Sequence, residues 1–459
     1  MILKTDKPID DAFIIDAVRK KLDDIPRLNR LHNYYIGKHD ILLRVQNDSD
    51  KPNNRIVVNY CRPIADILTS YLVGVPVKYN DAPQIILDNL DYNDNDEITQ
   101  SVVLNMNIFG FGTELFYTDA DSIPRFTSID PREAIFVIDD TVEENLIAFI
   151  RVYPKINDTN QYNVIVYTYE SYTQYNLSLS VGELKAAGKA QPHFWGDVPA
   201  IMYSNNRELM GAFENVLSLQ DALNKLVSDE INDWEAFVDS YLVLTGLQAT
   251  QQEDIAKMKK DRVLLMDGEA AASWLVKQVD NSHIRELKEN ITNKIRELGN
   301  IPNIEDLGSF GSSGVAIKFK LIPTEIQASK QERTVYKGIQ RKLELLYNIF
   351  KLTNNSLGNY TDVKPEFERN FIMLSNDKIN EKNVDLNLVA SGLMSETTFL
   401  IKHEDMTFEE AMTELEQVEA EKYIGAQSDM SGFSQIKQRE VSKNEFTAGT
   451  ATGTGTSGG

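Results

Sequence analysis

Residues 213–241 read FENVLSLQDALNKLVSDEINDWEAFVDSY, and the spacing inside that stretch decides how the rest of the chain is organised. Apolar residues fall at Phe213, Val216, Leu219, Leu223, Leu226, Val227, Ile231, Trp234, Phe237, Val238 and Tyr241, in steps of three and four. That period lays one apolar stripe along a single amphipathic helix, roughly 45 Å long at the usual rise per residue. Acids stand between the apolar positions, at Glu214, Asp221, Asp229, Glu230, Asp233, Glu235 and Asp239. Gly246 closes the stretch, so the predicted helix fills 213–245. Beyond it lies a compact insert, 246–280, with a short helix around Ile255 and Met258. Val263–Met266 and Trp274–Val279 follow, two β-prone runs that can pair across a DGEAA turn. The chain returns in a second helix, 281–300, on Ile284, Leu287, Ile291, Ile295 and Leu298, stopped by Gly299-Asn300 and Pro302. Next comes a loop punctuated by glycine, LGSFGSSG at 307–314. Val315–Leu321 then alternates with period two, which by itself reads as a strand. A third long helix carries Ile326, Tyr336, Ile339, Leu343, Leu346 and Phe350, and Pro323 should begin or kink it.

The flanks differ. Before residue 213 the chain is mixed: helical spacing at Ala12, Ile15, Val18 and Leu22, a second helix running to Tyr34-Tyr35-Ile36, and Gly37 as its stop. A third helix follows Ile56–Tyr60 and closes at Val73-Gly74-Val75-Pro76. Short β-prone runs come next, at Ala134–Ile138, Leu146–Tyr153 and Tyr162–Tyr169. After a β-prone stretch at Glu366–Leu374 the C-terminal part is helical, with Thr407 and Glu410 as a capping box. The last residues, TAGTATGTGTSGG, have nothing to bury and are expected to be disordered. With 459 residues, the chain calls for several domains, and the fold class expected is α+β and multidomain.

A formal charge of −22 argues against a protein that grips DNA, because such grip rests on Lys and Arg neutralising phosphates. The single cysteine, Cys61, excludes an internal disulfide framework or a multi-cysteine zinc site. The N-terminus lacks a basic region followed by an apolar stretch, and the apolar run 64–77 is too short to span a bilayer. A chain assembled in a cytoplasm, without membrane contact, is expected. Chemistry-bearing motifs fail on inspection. The glycines at 308, 311 and 314 are followed by Val315-Ala316 rather than the Lys-Ser/Thr of a phosphate loop. In DYNDNDE, Asp96 stands where a calcium loop needs glycine, so a solvated acidic linker is expected there. Five scattered histidines form no metal motif, and no G-x-S-x-G occurs. No catalytic residue, cofactor or metal is expected, although a metal-dependent nuclease or another multidomain cytoplasmic enzyme with a helical middle domain remains the alternative.

Several phrases, in order, carry a resemblance. They are Tyr34–His39 (YYIGKH), 51–60 (KPNNRIVVNY), Ser70–Pro76 (SYLVGVP), Ser228–Trp234 with Asp239–Leu242, and Ser312–Lys320 (SSGVAIKFK). With the order of elements, they make the chain resemble the portal (head–tail connector) proteins of tailed phages with Gram-positive hosts. The resemblance implies a ring, usually of twelve subunits, through which double-stranded DNA passes without sequence specificity at one capsid vertex of the virion. It implies a wing at 1–212 completed by 355–385, and stem helices at 213–245 and 281–300. A clip falls at 246–280, a tunnel loop and tunnel helix at 301–354, a crown at 386–435 and a disordered tail at 436–459. By this template Val315–Leu321 begins the tunnel helix, against its strand-like pattern. Gly311, Ser312, Ser313, Gly314, Val315 and Ile317 would form the moving tunnel edge. Lys318 and Lys320 would touch phosphates, and some of Glu214, Asp221, Glu230 and Asp233 would face the channel. The implied partners are terminase, which supplies the ATP-driven force, head-completion or adaptor proteins, and major capsid and scaffolding proteins.

Overall fold

In this computed structural model the residues described are 1–45, 52–156, 158–238, 241–245, 271–275, 281–303, 314–353, 357–369, 375–404 and 406–418. They form two compact units, Met1–Phe371 and Ile372–Gly459, and the architecture is α+β.

The first unit opens with helix α1 (Asp11–Tyr35), whose N-cap Asp10 accepts the Phe13 N–H at 2.8 Å. Two helices were expected here; one runs straight through Pro26. A proline in a helix forfeits one backbone bond. That loss is offset because the two halves of α1 fill different cores: Ile14, Ala17 and Val18 pack on the large sheet, while Leu28, Leu31 and Tyr34 pack among helices. Gly37, at φ 83°, ends it as its sequence suggests. Helices α2 (Cys61–Val73), α3 (Gln84–Tyr92) and α4 (Asn95–Phe109) follow. The DYNDNDE stretch between the last two is not a solvated linker. Asn93 and Asn95 are buried, and the Asn93 amide donates to the carbonyls of Asn89 and Pro124 at 2.8 and 3.1 Å. Asp94 turns the chain with φ 50°.

Two sheets complete the N-terminal part. The larger has seven strands, with Ile2–Lys4 parallel to Ala134–Ile138, then Leu146–Lys155, Asp158–Tyr167 and Ser171–Ser178 antiparallel in turn. The smaller places Phe111–Thr118 between Ala200–Ser204 and Pro124–Ile129.

Helix α5 spans Leu217–Val238, after a single 3-10 turn at Glu214–Val216. It is shorter than expected at its far end, because Tyr241–Thr245 leaves it as a strand antiparallel to Ala271–Leu275. The apolar, β-prone run Tyr-Leu-Val-Leu-Thr suits a strand, and the steps through Phe237, Val238 and Tyr241 had concealed that change. The hairpin expected between Val263–Met266 and Trp274–Val279, and the helix around Ile255, fall largely outside the described residues. Helix α6 (Asn281–Leu298) returns and ends at Asn300, φ 55°.

Helix α7 runs from Gly314 to Lys351, with Pro323 inside it. Val315–Leu321 is thus helix rather than strand: seven alternating residues continue without a break into a 3.6 period, and the longer pattern wins. After α7, Lys364–Glu366 pairs antiparallel with Lys78–Asn80; of the β-prone stretch expected at Glu366–Leu374, residues 370–374 lie outside the described residues.

The second unit holds α8 (Ser375–Ala390), α9 (Glu396–Glu404) and a helical run at 408–418. The capping box is present: Thr407 N–H donates to Glu410 at 2.8 Å, and Glu410 N–H to Thr407 Oγ1 at 3.3 Å. Asp385 receives Lys402 and His403, each at 2.7 Å. The hydrogen bonds from Lys402 and His403 hold its carboxyl below the ordinary carboxylate range. No described helix is long and apolar enough to cross a membrane.

Candidate channel helices

The long helix α7 is fixed to the body by polar side chains along its length. Thr324 donates to the Asn300 carbonyl at 2.7 Å, and Gln331 donates to Asn107 and Asn205 at 2.6 and 2.8 Å. Thr334 reaches the Ser204 carbonyl at 2.8 Å, and Asn348 the Trp195 carbonyl at 3.2 Å. Between them the helix passes so close to the smaller sheet that a Cβ on Gly338 would lie 2.2 Å from the Tyr203 ring. One turn on, Lys342 is buried. Its ammonium pairs with Glu114 at 2.8 Å, both side chains 1% exposed, and donates to Asn95 at 2.9 Å. Tyr203 donates to the other Glu114 oxygen at 2.6 Å, and the Phe126 ring lies 4.5 Å from the ammonium. Burial, then the nearby Glu114 charge, push the Tyr203 phenol far above its ordinary value, so it stays a donor. On the flank, Arg369 joins Glu332 and Glu325 at 2.5 and 3.1 Å, and Tyr71 donates to Glu325 at 2.8 Å. Burial opposes the Glu325 charge, but these bonds and one from Ser329 outweigh it and hold the carboxyl below its ordinary value.

Ahead of Thr324 nothing described on α7 is buried. The outward face begins with Phe319, 68% exposed, and continues with exposed Ile322 and Ile326. It becomes cationic at Lys330, Arg333 and Lys337, all exposed and three or four residues apart. Eight Lys and Arg against three Glu make α7 basic within an acidic chain.

Helix α5 is arranged differently. Its acids meet cations of the same unit. Glu214 clasps Arg27 through both oxygens at 2.7 Å. Asp221 holds Arg30 at 3.0 Å and accepts from Tyr34; Asp229 holds Arg44 at 2.6 Å; Glu230 holds Lys288 of α6 at 2.8 Å. Asp233 is exposed. Beneath the acids runs a second polar row, Gln220, Asn224, Ser228 and Asn232, whose oxygens accept the amides of Tyr60, Val58, Ile56 and Asn54. Sequence reading missed this row; its only signal is the step of four between uncharged polar residues. Burial fades along α5, and no described residue after Ser228 is buried, with Trp234 55% exposed.

Of the residues expected to form the moving edge, Gly311, Ser312 and Ser313 lie outside the described residues. Gly314, Val315 and Ile317 occupy the first turn of α7, and Lys318 and Lys320 are exposed just after it. The expected acids share α5 and the turn before it. Glu214, Asp221 and Glu230 are engaged by Arg27, Arg30 and Lys288, a pairing their sequence positions did not suggest. Among the described residues no group of three or more His, Cys, Asp or Glu could hold a metal ion.

A family profile described as phage portal protein, SPP1 Gp6-like, matches residues 17–426. The portal protein of Bacillus phage SPP1 is 22% identical over 386 residues, covering 78% of this chain and 74% of that one. The neck of an empty GTA particle, computed with C6 symmetry, superposes with a TM-score of 0.45 at 10% identity, over 82% of this chain and 92% of that chain.

Proposed function

Because this chain belongs to the SPP1 Gp6-like family of phage portal proteins, we propose that it forms the ring at one capsid vertex through which double-stranded DNA is packaged and ejected. The match over residues 17–426 carries this reading, and it leaves the nuclease alternative without support. In this reading 1–212 with 355–385 is the wing, α5 and α6 are the stem, 246–280 the clip, 301–354 the tunnel loop and helix, and 386–435 the crown. The stem pair supports self-association: among its described residues none beyond Ser228 and before Ile295 is buried, and Trp234 and Leu287 are large, apolar and exposed.

The proposed channel works by weak contact. A wall rich in phosphate-gripping cations would release counterions on binding and trap the duplex. Acids keep a layer of water and ions between wall and DNA, and Glu214, Asp221, Glu230 and Asp233 are the ones expected to do so. Lys318 and Lys320, near the free end of α7, make transient phosphate contacts. Gly311–Gly314 let the loop change shape while the buried Lys342–Glu114 pair holds the far half of α7 still. A terminase supplies force from outside the ring, and head-completion, capsid and scaffolding proteins dock around it.

Electron microscopy of the purified protein tests the reading. Rings with a central hole, twelve subunits expected, support it; a chain that stays monomeric or dimeric at every salt concentration overturns it. A divalent-metal nuclease activity abolished by changing a carboxylate pair would promote the rival.

A further inference from the structure

The row of acceptors on α5 does something unusual with residues 54–60. The amides of Asn54, Ile56, Val58 and Tyr60 donate to Asn232, Ser228, Asn224 and Gln220 at 2.7, 2.9, 2.9 and 3.0 Å. Four helical residues rise about 6.0 Å and two extended residues about 6.6 Å, so the two periods stay in step over four rungs. Gln220, Asn224 and Ser228 are fully buried, and Asn224 is itself held by the His39 ring at 2.7 Å. One face of a helix thereby takes the place of a neighbouring strand. In an extended chain alternate residues turn their N–H and C=O to opposite edges, so the edge away from α5 belongs to Arg55, Val57 and Asn59. Among the described residues, none of their backbone N–H or C=O groups has a hydrogen-bond partner. The Arg55 side chain reaches from this stretch to the Leu42 carbonyl at 3.1 Å.

We propose that the open edge at Arg55–Asn59 receives an extended segment from a second copy of this chain. The inference rests on the ring reading and names one contact between its subunits. A row of alternating donors and acceptors is complementary to another extended backbone. Duplex phosphates are acceptors only and would leave the carbonyls facing negative charge. The charge at the edge points to the same chain: Arg55 is exposed there without a carboxylate partner among the described residues, and a second copy carries 69 acids against 47 bases.

Amide hydrogen exchange, resolved residue by residue on the assembled particle and on chain dissociated by dilution, tests this. In the dissociated chain, residues 54, 56, 58 and 60 exchange slowly while 55, 57 and 59 exchange fast. In the particle the odd residues slow by at least about tenfold, the protection one added bond gives. Particles whose residues 55, 57 and 59 exchange as fast as in the dissociated chain overturn the edge contact and leave the ring reading standing, whereas absence of any particle overturns both. Val57→Pro removes one N–H that the fold itself does not use, and Val57→Ala keeps it. The proline variant is expected to keep the far-ultraviolet spectrum of the dissociated chain and to need about tenfold more protein to assemble, with the alanine variant like the parent. Equal assembly of all three overturns the proposal; a proline variant that fails to fold leaves the decision to the exchange measurement.

Discussion

Helices α5 and α7 are both long, both project beyond their buried ends, and are fixed by opposite means. Helix α5 is held near its start by neutral amides and a hydroxyl that accept backbone N–H groups, and its charges lie outside in ion pairs. Helix α7 is held in its second half by a buried ammonium and carboxylate, while its free half carries apolar residues and cations outward. Neutral acceptors give direction without the desolvation cost of charge, so they can be repeated every turn. A buried ion pair is expensive to place and more expensive to break, so one of them at Lys342 serves as a fixed point. The contrast assigns the parts that shift: no described residue of α7 ahead of Thr324 is buried, whereas α5 is laced along its base.

The deepest way to break the contrast is at that anchor. Lys342→Met leaves Glu114 charged and buried, and is expected to cost about 3–5 kcal/mol in urea unfolding. Adding Glu114→Leu should return much of that loss, because the pair is destabilising chiefly when halved. If the double variant is as unstable as the single, the anchor is not an ion pair. A single rung of the other system should cost less. Asn224→Ala leaves the Val58 N–H without its acceptor, for about 1–3 kcal/mol, with faster exchange of the Val58 amide. The outer rung, Asn232→Ala, lies where solvent can replace the acceptor and should fall under about 1 kcal/mol.

A third test concerns a buried cation outside both helices. Lys21 donates to the Pro131 carbonyl at 2.8 Å, and burial lowers its pKa to about 8. The folded chain therefore gives up this proton before the unfolded chain, whose lysine titrates near the ordinary 10.5. Between about 8 and about 10.5 the unfolded state binds more proton, so stability from this group rises with pH across that window. Relative to Lys21→Met, the parent protein should gain stability in urea unfolding between pH 8 and 10; a flat difference would mean that the ammonium is not desolvated.

Much of the helical framework is legible in the sequence, because stripes such as Ile284–Leu298 and the Thr407–Glu410 box are local patterns with local causes. The stop at Gly37 is legible for the same reason. The anchors are not. Gln220, Asn224, Ser228 and Asn232 read as a polar face, and a polar face is normally left to solvent; only residues 54–60, far away in the chain, give them work. Lys342 and Glu114 likewise look like surface residues until the fold brings them together. Tyr241–Thr245 fits helix and strand spacing equally, and its pairing with Ala271–Leu275 decides. Of the candidate channel residues, Lys318 and Lys320 came from the resemblance to portal proteins and not from a pattern of their own. The cations at Lys330, Arg333 and Lys337 escaped notice although they share one helical face, because the chain as a whole is acidic and draws attention to its carboxylates.

The smallest effect is expected where α5 meets α6. Lys288 and Glu230 pair at 2.8 Å, but both side chains are about one third exposed, so water screens the attraction and competes for both groups. Lys288→Ala should change the stability of the chain by less than about 1 kcal/mol, falling further as salt is raised. The same change removes one of the cations that neutralise α5, so its consequence for the proposed channel should exceed its consequence for the fold. An unpaired Glu230 makes the stem more acidic, and rings of this variant are expected to retain DNA less than the parent at low salt and equally at high salt. A stability loss of several kcal/mol, insensitive to salt, would show instead that the stem pair depends on this bridge as α7 depends on Lys342, and the contrast between the two helices would fail there.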